Sequence, residues 1–309
     1  MDERLAEFLT LRDWWRYAVS RFTQAKLSYG HGANNAIDEA AFIVLEGLNL
    51  PIDALDPFLD ARLLPPERAH LAQLIDARIA TRKPAAYLLN RAYIQGVPFY
   101  VDERVIVPRS FIGELLFKGL VGEDAPLDDP DEVASLLDLC TGGGSLAILA
   151  AAIFENATID AVDISQDALD VARRNCAEHA LEDRINIIRG DLFAPLAARR
   201  YDLILTNPPY VDAAAVAAFP QEHAAEPRLA HAGGQDGLDI VRRILAQAPE
   251  HLTARGALVC EIGRGRAILQ RDFPALPFRW LDTEDSAGEV FLLYAQDFAG
   301  ATKPRRKTR

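Results

Sequence analysis

The chain is poor in cysteine, in positive charge and in long apolar runs. Its three cysteines, Cys140, Cys176 and Cys260, are widely and irregularly spaced among 309 residues. That pattern argues against a disulfide framework or a zinc motif, and the apolar surroundings of all three suit reduced core thiols. No apolar run approaches the length of a membrane span, and Met1-Asp2-Glu3-Arg4 opens no signal peptide. A cytoplasmic location with no membrane partner is therefore expected. Lys and Arg number 33 against 45 Asp and Glu, for a net charge of −12. A body this acidic argues against a broad nucleic-acid surface, and so against DNA as a partner. The exception is the end of the chain, where Lys303, Arg305, Arg306, Lys307 and Arg309 cluster. Removing those five charges from −12 leaves −17 for the rest. Residues 301–309 read as a solvated, disordered tail, or as a tether to RNA or an acidic partner.

Half of the residues are hydrophobic, so a sizeable core can form, and no internal repeat is visible. Residues 1–92 read as helical. Thr10 can cap a helix carrying Leu11, Trp14, Trp15, Tyr17, Ala18 and Phe22. The adjacent tryptophans suggest two packing faces, one toward a neighbouring helix and one toward the rest of the protein. A second helix runs from about Ile37 to Leu48, and Pro65-Pro66 opens a third with Leu71, Leu74, Ile75 and Ile79 at helical spacing. Residues 93–107 read as a hairpin linker, with strands over Tyr93–Val101 and Val105–Val107 around Asp102-Glu103-Arg104. Pro108 begins a helix through Leu120, and residues 121–131 form an acidic loop. In residues 108–300, strands near 135–140, 158–163, 185–190, 201–206 and 256–262 alternate with helices. That rhythm predicts an α/β, doubly wound parallel sheet. The last two strands, at 279–281 and 290–294, have no helix between them, so an antiparallel final pair is expected.

The most informative residues are Asn207-Pro208-Pro209-Tyr210, directly after the apolar run Tyr201–Thr206. Two prolines end a strand and fix the backbone, which frees their carbonyls to face a ligand. Asn207 offers one acceptor and two donors, and Tyr210 offers a flat wall. A bare Asn-Pro-Pro also serves as a plain strand-ending turn. After a buried strand, however, Asn-Pro-Pro-Tyr resembles the signature of S-adenosyl-methionine-dependent amino methyltransferases. Their targets include adenine, guanine and glutamine amides.

Asp138-Leu139-Cys140-Thr141-Gly142-Gly143-Gly144-Ser145 ends the first strand of the sheet and opens a helix. Alone it is ambiguous, because Gly142-x-Gly144-x-x-Ala147 also satisfies a degenerate dinucleotide fingerprint. Asp163, nineteen residues beyond Gly144, suits the ribose of either cofactor. Asp138 and Asp191 favour S-adenosyl-methionine, since three carboxylates on one sheet edge suit a sulfonium and repel a pyrophosphate.

The combination resembles the protein N(5)-glutamine methyltransferases over nearly the whole chain apart from the tail. The residues that carry the likeness are Pro98–Asp102, Val107-Pro108-Arg109-Ser110, Asp138–Gly144, Ala161–Ser165, Asn207–Val211, Glu226–Ala230 and Gly233-Gly234-x-Asp236-Gly237-Leu238. The likeness implies a Rossmann-like class I methyltransferase sheet with an antiparallel last strand and a small helical N-terminal domain. It also implies a cofactor site at Asp138, Cys140, Thr141, Gly142, Gly143, Gly144, Asp163, Ile164, Asp191, Leu192 and Asn207. Asn207 and Pro208 would be catalytic, with Pro209, Tyr210 and Arg109 beside the substrate and no metal. Pro108-Arg109-Ser110-Phe111 and Asp-Leu-Cys-Thr look like the branch that acts on ribosomal protein L-three of the large subunit, rather than on peptide-chain release factors. A basic ribosomal protein suits the acidic body. An RNA guanine methyltransferase and a non-enzymatic ribosome-assembly module are the other readings. Gly143 stands where a serine is common and should loosen the loop. His231 replaces an apolar residue and is expected to be satisfied or solvent-facing, and Glu226 to cap a helix or pair with Arg228.

Overall fold

The computed structural model describes residues 3–123, 125–284 and 286–300, so the basic tail lies outside the described residues. Five helices come first: α1 (Arg4–Glu7), α2 (Leu11–Gln24), α3 (Ala36–Gly47), α4 (Pro65–Thr81) and α5 (Ala85–Leu89). Thr10 closes a capping box with Asp13 at the start of α2, and Asn35 caps α3 through its side chain. The apolar stripes of α2, α3 and α4 meet in a core of their own around Leu11, Trp14, Phe22, Ile43, Leu45 and Leu71. Each fully buried leucine there contributes about 1.5–3 kcal/mol relative to exposure. Both tryptophans stay within this core, contrary to the two-faced expectation. Trp14 Nε1 donates to the Phe8 carbonyl and Trp15 Nε1 to that of Ile37.

The hairpin pairs β1 (Ala92–Ile94) with β2 (Val97–Phe99). Its turn is therefore Gln95-Gly96, not Asp102–Arg104, and residues 105–107 are not a strand. Gln95 and Gly96 both have positive φ, at +50° and +76°, the geometry that suits the twist of a two-residue hairpin loop. α6 (Phe111–Lys118) starts later than expected, because Ser110 supplies its cap by accepting from the Ile112 amide.

The sheet follows as β3 (Ser135–Leu139), β4 (Thr158–Asp163), β5 (Ile185–Arg189), β6 (Tyr201–Thr206), β7 (Leu252–Glu261), β8 (Arg279–Leu281) and β9 (Val290–Tyr294). The helices between them are α7 (Ser145–Ile153), α8 (Gln166–Glu178), α9 (Ala213–Ala217), α10 (Asp239–His251) and α11 (Arg266–Asp272). The strand order is β5-β4-β3-β6-β7-β9-β8, with β3 to β7 parallel and β9 antiparallel to both neighbours. Alternate residues feed opposite layers. Leu136, Leu203 and Val259 face α6 and α7, whereas Leu137, Ile204 and Leu258 face α10. Burial on both faces is why these strands read as continuous apolar runs. The connections reverse direction between β3 and β6, which opens a crevice at the carboxyl ends of those strands.

Candidate active site

Register brings the expected residues to that crevice. Asp138 pairs with Leu205 and Leu139 with Thr206, so Cys140 and Asn207 leave adjacent strands side by side. The Thr206 hydroxyl donates to the Leu139 carbonyl (2.9 Å) and ties the two strand ends. Cys140 then turns with φ +59°, a left-handed conformation that costs a non-glycine residue about 1–2 kcal/mol. Asp163 holds the loop from β4. One carboxylate oxygen accepts from the Gly142 amide and the other from the Ser165 amide, both at 2.9 Å. Burial pushes its carboxyl above the usual range, against those hydrogen bonds.

A cavity of about 430 Å³ fills the crevice. On its wall lie Cys140, Gly142, Asp163, Ile164, Asp191 and Leu192 from one side. Arg109 and the run Asn207-Pro208-Pro209-Tyr210 line the other side. Asp138, Thr141, Gly143 and Gly144 are not on that wall. Asp138 is buried beneath the loop, where one oxygen accepts from the Thr141 hydroxyl (2.5 Å) and the Ala147 amide (3.1 Å). Its other oxygen has no partner, and burial raises its carboxyl to about 7. Gly143 does not leave the loop slack, because its carbonyl accepts from Asn175 Nδ2 at 2.8 Å. A Cβ there would meet ordinary contacts at 3.5–3.6 Å, so glycine is no steric necessity.

On the far wall, Asn207 Nδ2 donates to the Arg109 carbonyl (3.1 Å). The Tyr210 hydroxyl donates to Glu261 Oε1 (2.9 Å). Glu261, buried at the end of β7, also accepts from the Ser110 hydroxyl and the Phe111 amide. Burial raises its carboxyl to about 6, opposed by Ser110 and Tyr210. Gly263 packs against the Tyr210 ring, where a Cβ would come within 2.8 Å of ring carbons. At Gly237, with φ +81°, a Cβ would lie 2.2 Å from the Tyr210 carbonyl, so the Gly233–Leu238 block has to be glycine-rich to reach this backbone.

Glu226 differs from expectation. It neither caps a helix nor pairs with Arg228, but forms a two-pronged pair with Arg109 at 2.8 and 3.0 Å and accepts from the Val107 amide. Burial works to raise its carboxyl, but His231, His31 and Arg109 together hold it well below the usual range. His231 is buried rather than solvent-facing, with Nε2 3.0 Å from Glu226 Oε2. His223, also on the cavity wall, is held down at about 4 by burial first and by His31 next.

The sequence reading missed Glu261, Asn175 and His223. A lone Asn inside a helix, or a Glu at a strand end, carries no signal of its partner. Asn175 receives the Tyr100 amide (2.7 Å) as well as holding Gly143, so it joins the segment after the hairpin to the glycine loop.

Residues 126–223 match the methyltransferase small domain family. The ribosomal protein uL3 glutamine methyltransferase of Bradyrhizobium diazoefficiens is 58% identical over 294 residues, covering 94% of this chain and 92% of that protein. The protein of the same name from Bordetella pertussis is 55% identical over 288 residues, covering 93% and 95%. A solved methyltransferase from Pyrococcus furiosus covers 71% of this chain and 97% of its own, at 17% identity and a TM-score of 0.46. With identities this high over nearly its whole length, the chain belongs to the ribosomal protein uL3 glutamine methyltransferase family.

Proposed function

We propose that this methyltransferase moves a methyl group from S-adenosyl-methionine to the side-chain amide nitrogen of a glutamine in ribosomal protein uL3. The orientation of Asn207 carries the reading at the level of the site. The Arg109 carbonyl can only accept, so the NH2 of Asn207 must face it. Oδ1 is left free as an acceptor beside the Pro208 carbonyl. A glutamine amide presents two hydrogens to that pair. Its nitrogen lone pair is delocalised into the carbonyl and makes a poor nucleophile. Two acceptors on its hydrogens stabilise the positive charge that develops as it attacks. Tyr210, pinned by Glu261 and Gly263, sets the plane of the amide. Positioning of this kind supplies rate without an acid or base.

The cavity suits the cofactor. The arginines on its wall are each paired with a carboxylate: Arg104 with Asp102, Arg109 with Glu226 and Arg243 with Asp191. None is left to meet a pyrophosphate. Each Asp163 oxygen keeps a second lone pair for a ribose hydroxyl, and Asp191 and Leu192 border the adenine. Bound there, S-adenosyl-methionine supplies an electrophilic methyl on a positively charged sulfur. Asp138, Thr141, Gly143 and Gly144 act by shaping the loop from behind. The helical layer is the docking element for the protein substrate, and the cytoplasm, where ribosomal proteins are made, is the place of action. Among the described residues no helix is long and apolar enough to cross a membrane.

Tritiated-methyl transfer to purified uL3, release factors, RNA and DNA, followed by peptide mapping, tests the assignment. Label should appear on one glutamine of uL3, with a gain of about 14 Da from the added methyl. Label on release factors alone would overturn the substrate, and label on nucleic acid alone would overturn the amide chemistry. In calorimetric titration, Asp163→Ala should weaken the cofactor about ten- to a hundredfold, the worth of a hydrogen bond of roughly 1.5–3 kcal/mol. Unchanged affinity would remove Asp163 from the cofactor site.

A further inference from the structure

Behind Arg109, where the helical layer meets the catalytic sheet, three imidazoles gather around one carboxylate. His31 sits on the loop between α2 and α3, flanked by Gly30 and Gly32 at φ +116° and +100°. His223, Glu226 and His231 come from the 3-10 turns after α9 and the residue that ends them. His31 Nε2 lies 3.4 Å from Glu226 Oε2, and His231 Nε2 lies 3.0 Å from the same oxygen. His31, His223 and Glu226 each bring one ligand atom within 4.8 Å of the other two. The side chains of His31 and Glu226 are 1% and 0% exposed.

Well-aligned hydrogen bonds do not account for this arrangement. His31 Nε2, His223 Nδ1 and His231 Nε2 are all buried, and none makes a well-aligned hydrogen bond, although the first and last lie within 3.0–3.4 Å of Glu226 Oε2. Two other histidines in the fold make ordinary contacts. His179 Nε2 bonds the Pro98 carbonyl at 2.8 Å and His251 Nδ1 that of Arg199 at 2.9 Å. Buried nitrogens without an aligned partner carry a desolvation cost, which a shared cation removes. Tetrahedral zinc, with bonds of about 2.0–2.1 Å to nitrogen and oxygen, sets its ligand atoms about 3.3 Å apart. The 3.4 Å between His31 Nε2 and Glu226 Oε2 is close to that value. Glu226 is shared with Arg109, whose charge opposes a second cation. Glu222 stands nearby in sequence: one of its oxygens accepts from the Ser28 amide and pairs with Arg82, and the other is buried without a partner.

We propose that His31, His223 and Glu226 bind a zinc-class divalent ion that clasps the helical layer to the wall of the catalytic cavity. Imidazole with one carboxylate is a donor set that suits zinc, and also nickel and copper. The ion is structural, since it lies among buried side chains behind Arg109 and joins two layers of the fold. It takes no part in methyl transfer, and its presence can be read without turnover, so its failure would leave the methyltransferase reading untouched.

The test uses full-length protein stripped with a chelator. Titration with zinc in a calorimeter should give one equivalent, and one equivalent of cobalt(II) should give the strong visible bands of a tetrahedral site. His31→Ala and His223→Ala should each weaken zinc by more than about tenfold, the loss seen even for outer-shell partners. His31→Asn serves where the alanine variant fails to fold, as judged by circular dichroism. His70→Ala, an exposed histidine on α4, should change nothing. Zinc should raise the apparent unfolding temperature of the unaltered protein but not of the His31 variants. The proposal is overturned if the unaltered protein takes up no stoichiometric metal, if the His31 and His223 variants both bind as well as it does, or if His70→Ala alone abolishes binding.

Discussion

Asn207→Ala should lower the rate of methyl transfer by about 10²–10³ while cofactor affinity stays near that of the unaltered enzyme. The magnitude is that of removing one preorganised group aimed at developing charge. The effect belongs to turnover because the Asn207 contact strengthens as the amide nitrogen becomes positive, and the ground state gains little from it. Single-turnover transfer of labelled methyl, beside calorimetric titration of the cofactor, separates the two quantities. Asn207→Asp divides the residue's two jobs. A carboxylate still accepts from the substrate amide but repels the Arg109 carbonyl, which then has lost its donor. It should therefore also be slow, with the amide misplaced. Near-normal turnover in the alanine variant would take Asn207 out of the chemistry.

Glu39→Ala should destabilise the protein by about 3–5 kcal/mol, the cost of leaving a buried charge without its partner. Glu39 and Arg78 join α3 to α4 with side chains 3% and 0% exposed, and Arg78 Nε donates to Glu39 Oε1 at 2.7 Å. The remaining support for Arg78 is one bond to the Ser28 carbonyl at 3.1 Å, and its NH1 has no partner. Such a loss lowers the melting temperature by on the order of 10 °C. The double change Glu39→Met with Arg78→Met should recover most or all of it, because apolar pairs of similar volume replace buried ion pairs at little cost. Thermal unfolding of the two variants side by side is the measurement. A double variant as unstable as the single one would mean that the helices need the charge pair itself.

The sheet was legible because burial on both faces makes each strand an apolar run, and Asp, Gly or Pro ends it. Asp138, Asp163 and Asn207 could be placed on one edge for the same reason: parallel strands deliver their carboxyl ends together. The hairpin was misplaced because Tyr93–Val101 is rich in strand formers throughout, and Gln95-Gly96 is a weaker turn signal than Asn-Gly. α5 was missed because five residues after Pro84 are too few for a periodic pattern. The partner of Glu226 was illegible for a different reason. Arg109 lies 117 positions away, and nothing local distinguishes it from Arg228, two residues on. Glu39 with Arg78 was hidden in the same way, since each reads as an ordinary charge on a helix.

The contacts that seat the helical layer also fix an order of events during synthesis. The Ser28 amide is held by Glu222, 194 positions later, and the Val107 amide by Glu226, 119 positions later. A ribosome adding about 5–20 residues per second reaches Glu222 roughly 10–40 s after Ser28. Through that interval the sheet is incomplete, since β7, β8 and β9 all follow Glu222. The first helices' separate core of Leu11, Trp14, Phe22, Ile43 and Leu71 is what keeps them collapsed, and its contacts are short in sequence and quick to form. The rim of the cavity is thus completed late, when the turns around Glu222 and Glu226 close back onto a layer already in place.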